Sequence, residues 1–342
     1  MINLLITGGA GFIGSNFTRF WIKNNPKDNV FVLDKLSYAG NKKSLEDLLN
    51  EKSNLTFIKG DICNYELLIS FLEKYNITHI VHLAAESHVD RSITSPKNFI
   101  DTNINGTFFL LEAFRNYWYK KNKPSNYRFL HVSTDEVFGS LNDEDASFNE
   151  SFPYNPRSPY SASKASSDHL VNAWIETYKL PINISNCSNN FGPYQFPEKL
   201  IPKAIIKILK GEKIPIYGKG ENIRDWLYVE DHCRALELII KSEFIGEKFC
   251  IGASNEIKNI DLIKLVCKEI DNLSISNLRK PSSELIEFVK DRKGHDYRYS
   301  IDSSKIKNLL NWESKISLKE GISKTIKWYL DEFEWWEQLS ED

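Results

Sequence analysis

Leu4-Leu5-Ile6-Thr7 runs straight into Gly8-Gly9-Ala10-Gly11-Phe12-Ile13-Gly14, and no other stretch restricts the fold as much. The apolar run is short and of buried-strand type, and residues 15–22 place apolar side chains where a helix would bury them. Strand, glycine-rich turn and helix, in that order, open a parallel α/β sheet. The glycine spacing is G-x-x-G-x-x-G. Gly8 permits a tight turn, Gly11 lets the backbone approach a pyrophosphate, and Gly14 lets helix and strand pack closely. The helix N-terminus then offers free N–H groups to phosphate. A second apolar run, Val30-Phe31-Val32-Leu33, ends in Asp34, 20 residues after Gly14. A carboxylate at that distance accepts hydrogen bonds from an adenosine ribose. Asp34 would repel a 2′-phosphate, so the expected cofactor is NAD rather than NADP, with Lys35 as the adjacent opposing charge.

The competing reading is a flavodoxin-like turn with no dinucleotide. Against it stands the alternation that follows. Strands are expected at 54–58, 78–83, 127–132 and 182–187, with helical segments at 65–75 and 96–119 between them. This pattern predicts an α/β protein with a Rossmann-type doubly wound parallel sheet and a smaller mixed α/β domain. Asp61 and Ile62 end the third strand. The fourth runs into Ala84-Ala85-Glu86-Ser87, whose small residues leave room beside a cofactor. Beyond Cys187 the alternation weakens. Residues 226–229 are expected to rejoin the first sheet, followed by a helix over 231–241. The expected division is 1–188 plus about 226–252 for the cofactor domain, and 189–225 plus about 253–342 for the substrate domain, the two interleaved.

Composition removes several classes. Of 342 residues, 41% are apolar and 26% charged, and the net charge of −2 offers no footprint for nucleic acid or an anionic membrane. The five cysteines are odd in number, widely spaced and without C-x-x-C, which argues against a disulfide framework or zinc and for a reducing, cytoplasmic location. His79, His82 and His131 lie in strands without a second ligand at metal spacing and read as core histidines, so no metal site is expected. No apolar run approaches the length of a membrane span, and no signal peptide is evident.

The fifth strand ends in Ser133-Thr134-Asp135-Glu136-Val137-Phe138-Gly139. Ligands of an open parallel sheet bind at such ends. Two adjacent acids there suit acid–base work at carbon and would oppose phosphate; the bland alternative is a solvated, helix-capping turn. Tyr160 and Lys164 follow at i and i+4 on one helical face. A nearby ammonium favours a phenolate, which makes a usable base for a hydroxyl proton.

These stretches, with Asp34-Lys35-Leu36-Ser37-Tyr38-Ala39-Gly40-Asn41, residues 83–93 and residues 186–202, resemble the dTDP-glucose 4,6-dehydratases of the extended short-chain dehydrogenase/reductases. The match is dense to about Asp231 and thinner beyond. The resemblance implies NAD held by Gly8, Gly11, Phe12, Ile13, Gly14, Asp34, Lys35, Leu36, Ser37, Asp61, Ile62, Leu83, Ala84, Ala85, Ser87, Thr102, Tyr160, Lys164 and Asn190. It implies a sugar nucleotide, dTDP-glucose, against Ser87, Thr134, Asn189, Lys199, Leu200, Pro215, Ile216, Tyr217, Arg224, Asn259, Asp291, Arg292 and His295. Tyr160 would deprotonate the 4-hydroxyl while C4 gives hydride to NAD, and Thr134 would hydrogen-bond that oxygen. Glu136 would take the C5 proton, Asp135 would protonate the departing 6-hydroxyl, and hydride would return to C6. Arg224 and Arg292, with Lys199, suit a diphosphate because a guanidinium grips phosphate oxygens as a fork.

The chain departs from the family where Lys293 replaces a frequent proline and where Phe138 and Phe191 replace frequent tyrosines. Members of the family are usually homodimers, and residues 96–119 and 160–178 are the candidate interface. Two rivals remain. A 4-epimerase or decarboxylase of the same superfamily could use Tyr160, Lys164 and NAD without needing the acid pair. A non-catalytic NAD-binding regulator would be expected to have lost Tyr160 or Lys164.

Overall fold

A computed structural model of the protein describes residues 1–273 and 280–339. The first half builds β1 (Asn3–Thr7), β2 (Asn29–Asp34), β3 (Leu55–Lys59), β4 (His79–His82), β5 (Arg128–Thr134) and β6 (Ile182–Cys187). The chain then forms β7 (Asn189–Phe191), β8 (Ile214–Tyr217) and β9 (Ile223–Tyr228), followed by β10 (Lys248–Ile251), β11 (Glu256–Lys258) and β12 (Ile286–Val289). A seven-stranded sheet has the order β10-β6-β5-β4-β1-β2-β3, and its pairings are parallel. This is the doubly wound arrangement that alternation predicts. Apart from β3, its strands are mostly buried because helices cover both faces. Phe12–Asn24 and Val229–Lys241 pack on one face, and Tyr65–Lys74, Thr107–Lys120 and Pro159–Tyr178 on the other.

The expected return of residues 226–229 to this sheet is incorrect. They belong to the end of β9 and the start of the next helix, and β9 pairs with β7 and β11 in a separate three-stranded sheet. The strand that rejoins the large sheet is β10, against β6. Trp226 and Tyr228 instead pack edge-on against Phe191 in a second core. An apolar run shows that a strand is buried, not which sheet buries it.

The segment at 96–119 is one helical path with a wide turn inside it. Pro96–Phe99 and Thr107–Lys120 are α-helical, and Ile100–Gly106 is a π-helix. The turn directs Asn103 onto the main chain of Glu86, accepting from its N–H at 2.8 Å and donating to its carbonyl at 3.0 Å. The strand histidines have core partners: His82 lies between Thr7 and Thr107 hydroxyls at 2.8 and 3.0 Å, and His131 lies 3.0 Å from Asp168. The C-terminal aromatic run folds back, with the Trp335 indole donating to Ser44 at 3.1 Å and Trp336 wholly buried. Among the described residues no helix is long and apolar enough to cross a membrane, and no cluster of three or more His, Cys, Asp or Glu could hold a metal.

Candidate active site

The strand order reverses between β1 and β4, and the carboxyl ends of the neighbouring strands open there on one cleft. Its wall contains Gly8, Gly11, Phe12, Ile13, Gly14, Asp34, Lys35, Ser37, Asp61, Ile62, Leu83, Ala84, Ala85, Ser87, Thr102 and Asn190. Thr134, Asp135, Glu136, Tyr160, Lys164, Asn189 and Lys199 line the same cleft. Leu36 is behind it, in a left-handed conformation at φ 57°, with its N–H donated to Asp34 Oδ1 at 2.7 Å.

The glycine turn is shaped by close approach. Gly8 has φ 72°, and a Cβ there would lie 2.6 Å from the Ala84 nitrogen. A Cβ on Gly14 would lie 2.1 Å from the Gly8 carbonyl oxygen. The helix Phe12–Asn24 starts at Gly11 without a side-chain cap, so its first N–H groups face the cleft unclaimed by a cap. Asp34 is nearly buried and accepts from the Ala10 and Leu36 N–H groups at 2.9 and 2.7 Å. Burial raises its pKa against the pull of those bonds. Lys35 pairs with Asp61 at 2.7 Å, so the cation next to Asp34 is already neutralised.

β5 delivers Thr134 to the cleft, and a 3-10 turn, Asp135–Phe138, follows immediately. Gly139, at φ 93°, ends that turn. The Thr134 hydroxyl donates to Asp135 Oδ1 at 3.2 Å and accepts from the Glu136 N–H at 3.3 Å. Asp135 Oδ2 is buried without a partner. Burial, reinforced by Glu136, raises the Asp135 pKa well above the carboxylate range. Burial also raises Glu136, but the charges of Arg224, Arg292 and Lys199 oppose the shift. The two neighbouring acids are therefore both shifted toward the protonated form, Asp135 strongly and Glu136 against the opposing pull of three cations.

The helix carrying Tyr160 starts with a capping box between Ser158 and Ser161 and has Pro159 in its first turn. Tyr160 departs from the expectation of a favoured phenolate. Burial raises its pKa well above the usual phenol value, and Glu136 and Cys187 add to the rise. The Lys164 ammonium donates to the Val132 carbonyl at 2.9 Å, and burial lowers its own pKa.

Of the residues expected to meet substrate, Ser87, Thr134, Asn189 and Lys199 line the cleft and the others lie outside its wall. Lys199 donates to the Ser87 carbonyl at 3.1 Å. Arg224, expected as a diphosphate fork, instead donates to the carbonyls of Ile223, Tyr297 and Asp296 at 2.7, 3.2 and 2.9 Å and lies over the Tyr299 ring. Its charge still reaches Glu136. Arg292 forks onto Asp90 and lies over the Tyr217 ring, and His295 bonds Asp291 at 2.7 Å. Pro215, Ile216 and Tyr217 belong to β8, paired with β12. Leu200 and Asn259 each begin a helix, and Asn259 Oδ1 is buried without a partner.

The departures from the family pattern fall in harmless places. Phe138 stacks on Phe148 at 5.1 Å inside an apolar cluster, and Phe191 is wholly buried, so neither site needs a hydroxyl. Lys293 is exposed, and Gly294 beside it, at φ 66°, takes the turn. Sequence reasoning missed Tyr38, Cys187, Gln195 and Phe196 in the cleft wall. Tyr38 and Cys187 adjoin residues singled out by spacing, and that adjacency was the available signal. Asn103 gave none, because an α-helical period misplaces a residue inside a π-turn.

Comparison with known proteins agrees with this fold. A family model described as GDP-mannose 4,6 dehydratase matches residues 5–325. The dTDP-glucose 4,6-dehydratase of Salmonella typhimurium is 50% identical over 346 residues, covering 98% of this chain and 94% of its own. The solved dTDP-glucose 4,6-dehydratase of Streptomyces venezuelae, with NAD bound, superposes with a TM-score of 0.90 at 41% identity, covering 99% of this chain and 100% of its own. A UDP-glucose 4-epimerase from Thermotoga maritima shares the fold at TM-score 0.84 but only 29% identity, covering 97% of this chain and 100% of its own. Whole-length identity, fold and the matched family model together make this chain a member of the dTDP-glucose 4,6-dehydratase family.

Proposed function

We propose that the cleft converts dTDP-glucose to dTDP-4-keto-6-deoxyglucose and water. The observation that carries this reading is the pair of adjacent acids Asp135 and Glu136 beside Thr134 and Tyr160 in one cleft, both with pKa values raised by burial, Asp135 further by Glu136 and Glu136 held back by the charges of Arg224, Arg292 and Lys199. An elimination across C5 and C6 needs one acid and one base side by side.

The residues present fit NAD. A cradle that a Cβ at Gly8 or Gly14 would fill lies at uncapped helix N–H groups, and Asp34 offers carboxylate oxygens at the ribose distance. When bound, NAD supplies the hydride acceptor for C4 and the hydride donor for C6. Asp34, with Gly8, Gly11 and Gly14, holds it, and the neighbouring Lys35 is paired with Asp61 rather than free for a 2′-phosphate. Thr134 binds the sugar 4-oxygen and Tyr160 takes its proton, with Lys164 favouring the phenolate. Glu136 removes the C5 proton, made acidic by the 4-keto group. Asp135 protonates the departing 6-hydroxyl, which leaves as water. Lys199 and Arg292 receive the diphosphate, Arg224 acts through its charge on Glu136, and the β8 residues with Asn259 and His295 face the nucleotide.

The test is incubation with dTDP-, UDP- and CDP-glucose and identification of the product. A 4-keto-6-deoxy sugar from dTDP-glucose is expected; a C4 epimer alone would overturn the reading. An epimerase needs Tyr160 and Lys164 but no acid pair, which is why the pair is the discriminating feature.

Three further readings accompany it. The cofactor unit comprises 1–188 with about 229–252, since Trp226 and Tyr228 pack in the second core, and the rest forms the substrate unit. A homodimer forms through the helices at 96–119 and 160–178, supported by exposed Ile100, Phe108 and Tyr119; sedimentation would read a monomer if this is wrong. The protein works in the cytoplasm, supported by five unpaired thiols, all of which should titrate after denaturation without reductant.

A further inference from the structure

Behind the catalytic face of the Pro159–Tyr178 helix lies a polar cluster that no step of the reaction uses. Asp168, one helical turn beyond Lys164, is wholly buried. Its Oδ1 is 3.0 Å from His131 Nε2 on β5. Its Oδ2 accepts from the Tyr154 hydroxyl at 2.8 Å and from Asn186 Nδ2 on β6 at 3.2 Å. The same Asn186 amide donates to the Thr134 carbonyl at 3.1 Å. One carboxylate thus ties the helix bearing Tyr160 and Lys164 to the strand end bearing Thr134, Asp135 and Glu136.

The charges in this cluster can be assigned. His131 Nδ1 is buried without a partner, which fits a neutral ring carrying its proton on Nε2, toward Asp168. The other groups facing Lys164 are Cys187 on β6, the Val132 carbonyl and His131 on β5, with His82 of β4 beyond, its ring 5.3 Å from that of His131. Around Asp168 the further cation is Lys248, half-buried over the Tyr154 ring at 4.3 Å. Lys164 is the buried cation, and Asp168 is the carboxylate whose charge favours its ammonium form. A buried charge that loses its partner is strongly disfavoured and discharges.

We propose that Asp168 is a positioning residue of this reaction, a buried counter-charge that keeps Lys164 an ammonium and sets the Tyr160 helix against the end of β5. The proposal rests on the dehydratase reading. Its test uses the NAD-loaded enzyme with dTDP-glucose. In Asp168→Asn the ascending limb of kcat should move to higher pH by about one unit, which is about a tenfold loss at a pH below the limb, with KM unchanged. Tyr154→Phe, which removes a hydrogen bond and leaves the charge, should keep the parental pH profile. The double variant Asp168→Asn with Lys164→Met removes both buried charges. It should be no more active than Lys164→Met and should exceed Asp168→Asn in Tm, and it decides the matter even where Asp168→Asn folds poorly. An unshifted profile in Asp168→Asn, or a double variant no more stable than Asp168→Asn, would overturn the proposal. A parent enzyme that makes no 4-keto-6-deoxy product would sink the dehydratase reading instead, before any variant is compared.

Discussion

Arg292 grips Asp90 with both arms of its guanidinium, Nε to Oδ1 at 2.7 Å and Nη2 to Oδ2 at 2.9 Å, across residues 202 positions apart in sequence. Asp90 belongs to the helix after β4, and Arg292 to the loop after β12. The Tyr217 hydroxyl adds a third contact to Asp90 at 3.4 Å. The carboxylate occupies the same fork that a diphosphate would take.

Asp90 and substrate should therefore compete for Arg292. Asp90→Asn is expected to lower KM for dTDP-glucose while leaving kcat unchanged. The pair is partly exposed, at 22% and 36%, so the gain should be modest, roughly two- to fivefold. Arg292→Ala should raise KM. Steady-state kinetics and titration with dTDP read both, and a raised KM in Asp90→Asn would contradict the competition.

Cofactor choice should follow Asp34. Asp34→Ala removes the acceptor proposed for the ribose and also strands the Ala10 and Leu36 N–H groups. NAD affinity should fall by about tenfold or more, the cost of buried donors left unpaired. The preference over NADP should narrow, because the repelling carboxylate is gone. Fluorescence titration with both cofactors measures this, and equal binding by the parent would refute the assignment.

The acid pair should show itself in both rate and stability. Glu136 must be ionised to act, and burial raises its pKa. Activity should therefore be lost, as pH falls, at a higher pH than an ordinary glutamate would require. Glu136→Gln should cut turnover by about 10²- to 10⁴-fold and abolish solvent deuterium entry at C5. Asp135 carries a raised folded-state pKa, so its folded form is penalised at neutral pH relative to the unfolded chain, where the group ionises freely. Asp135→Asn should thus raise Tm at neutral pH, by roughly 1–3 °C, and the gain should vanish in acid, where both states are protonated. A lower Tm at neutral pH would show that the buried charge is not the cost supposed.

Gly14→Ala tests the turn. The added methyl would lie 2.1 Å from the Gly8 carbonyl oxygen, a clash with backbone that no side-chain rotation relieves. NAD binding should be lost, with melting curves showing whether the fold survives.

The sheet was legible where local pattern and tertiary fate coincide. β1 to β6 are short apolar runs separated by helical periods, and the parallel sheet is what buries such runs. The glycine-turn side of the cleft was legible for the same reason, since Gly8, Gly14 and Asp34, which line it, answer to geometry within about thirty residues of chain. Legibility failed where the partner is remote. Nothing in Ile223–Tyr228 says that β7 and β11 will pair with it. Nothing in Arg224 says that carbonyls near residue 297 will claim its donors. Tyr160 and Lys164 share a helical face as expected, yet the pKa of that tyrosine is governed by burial and by Glu136 arriving on another element.

The helix Val229–Lys241 covers the same face of the large sheet as Phe12–Asn24, and its Leu236 and Ile239 join Leu4, Ile6, Val30 and Val32 in one core. During synthesis on the ribosome the motif at Gly8 emerges first, but half of its hydrophobic cover is encoded more than 200 residues later. The nucleotide-binding half is thus not a module that a gene fusion could excise at residue 188. A chain stopped there would present an uncovered apolar sheet face, the kind of surface that chaperones hold and that aggregates when they do not.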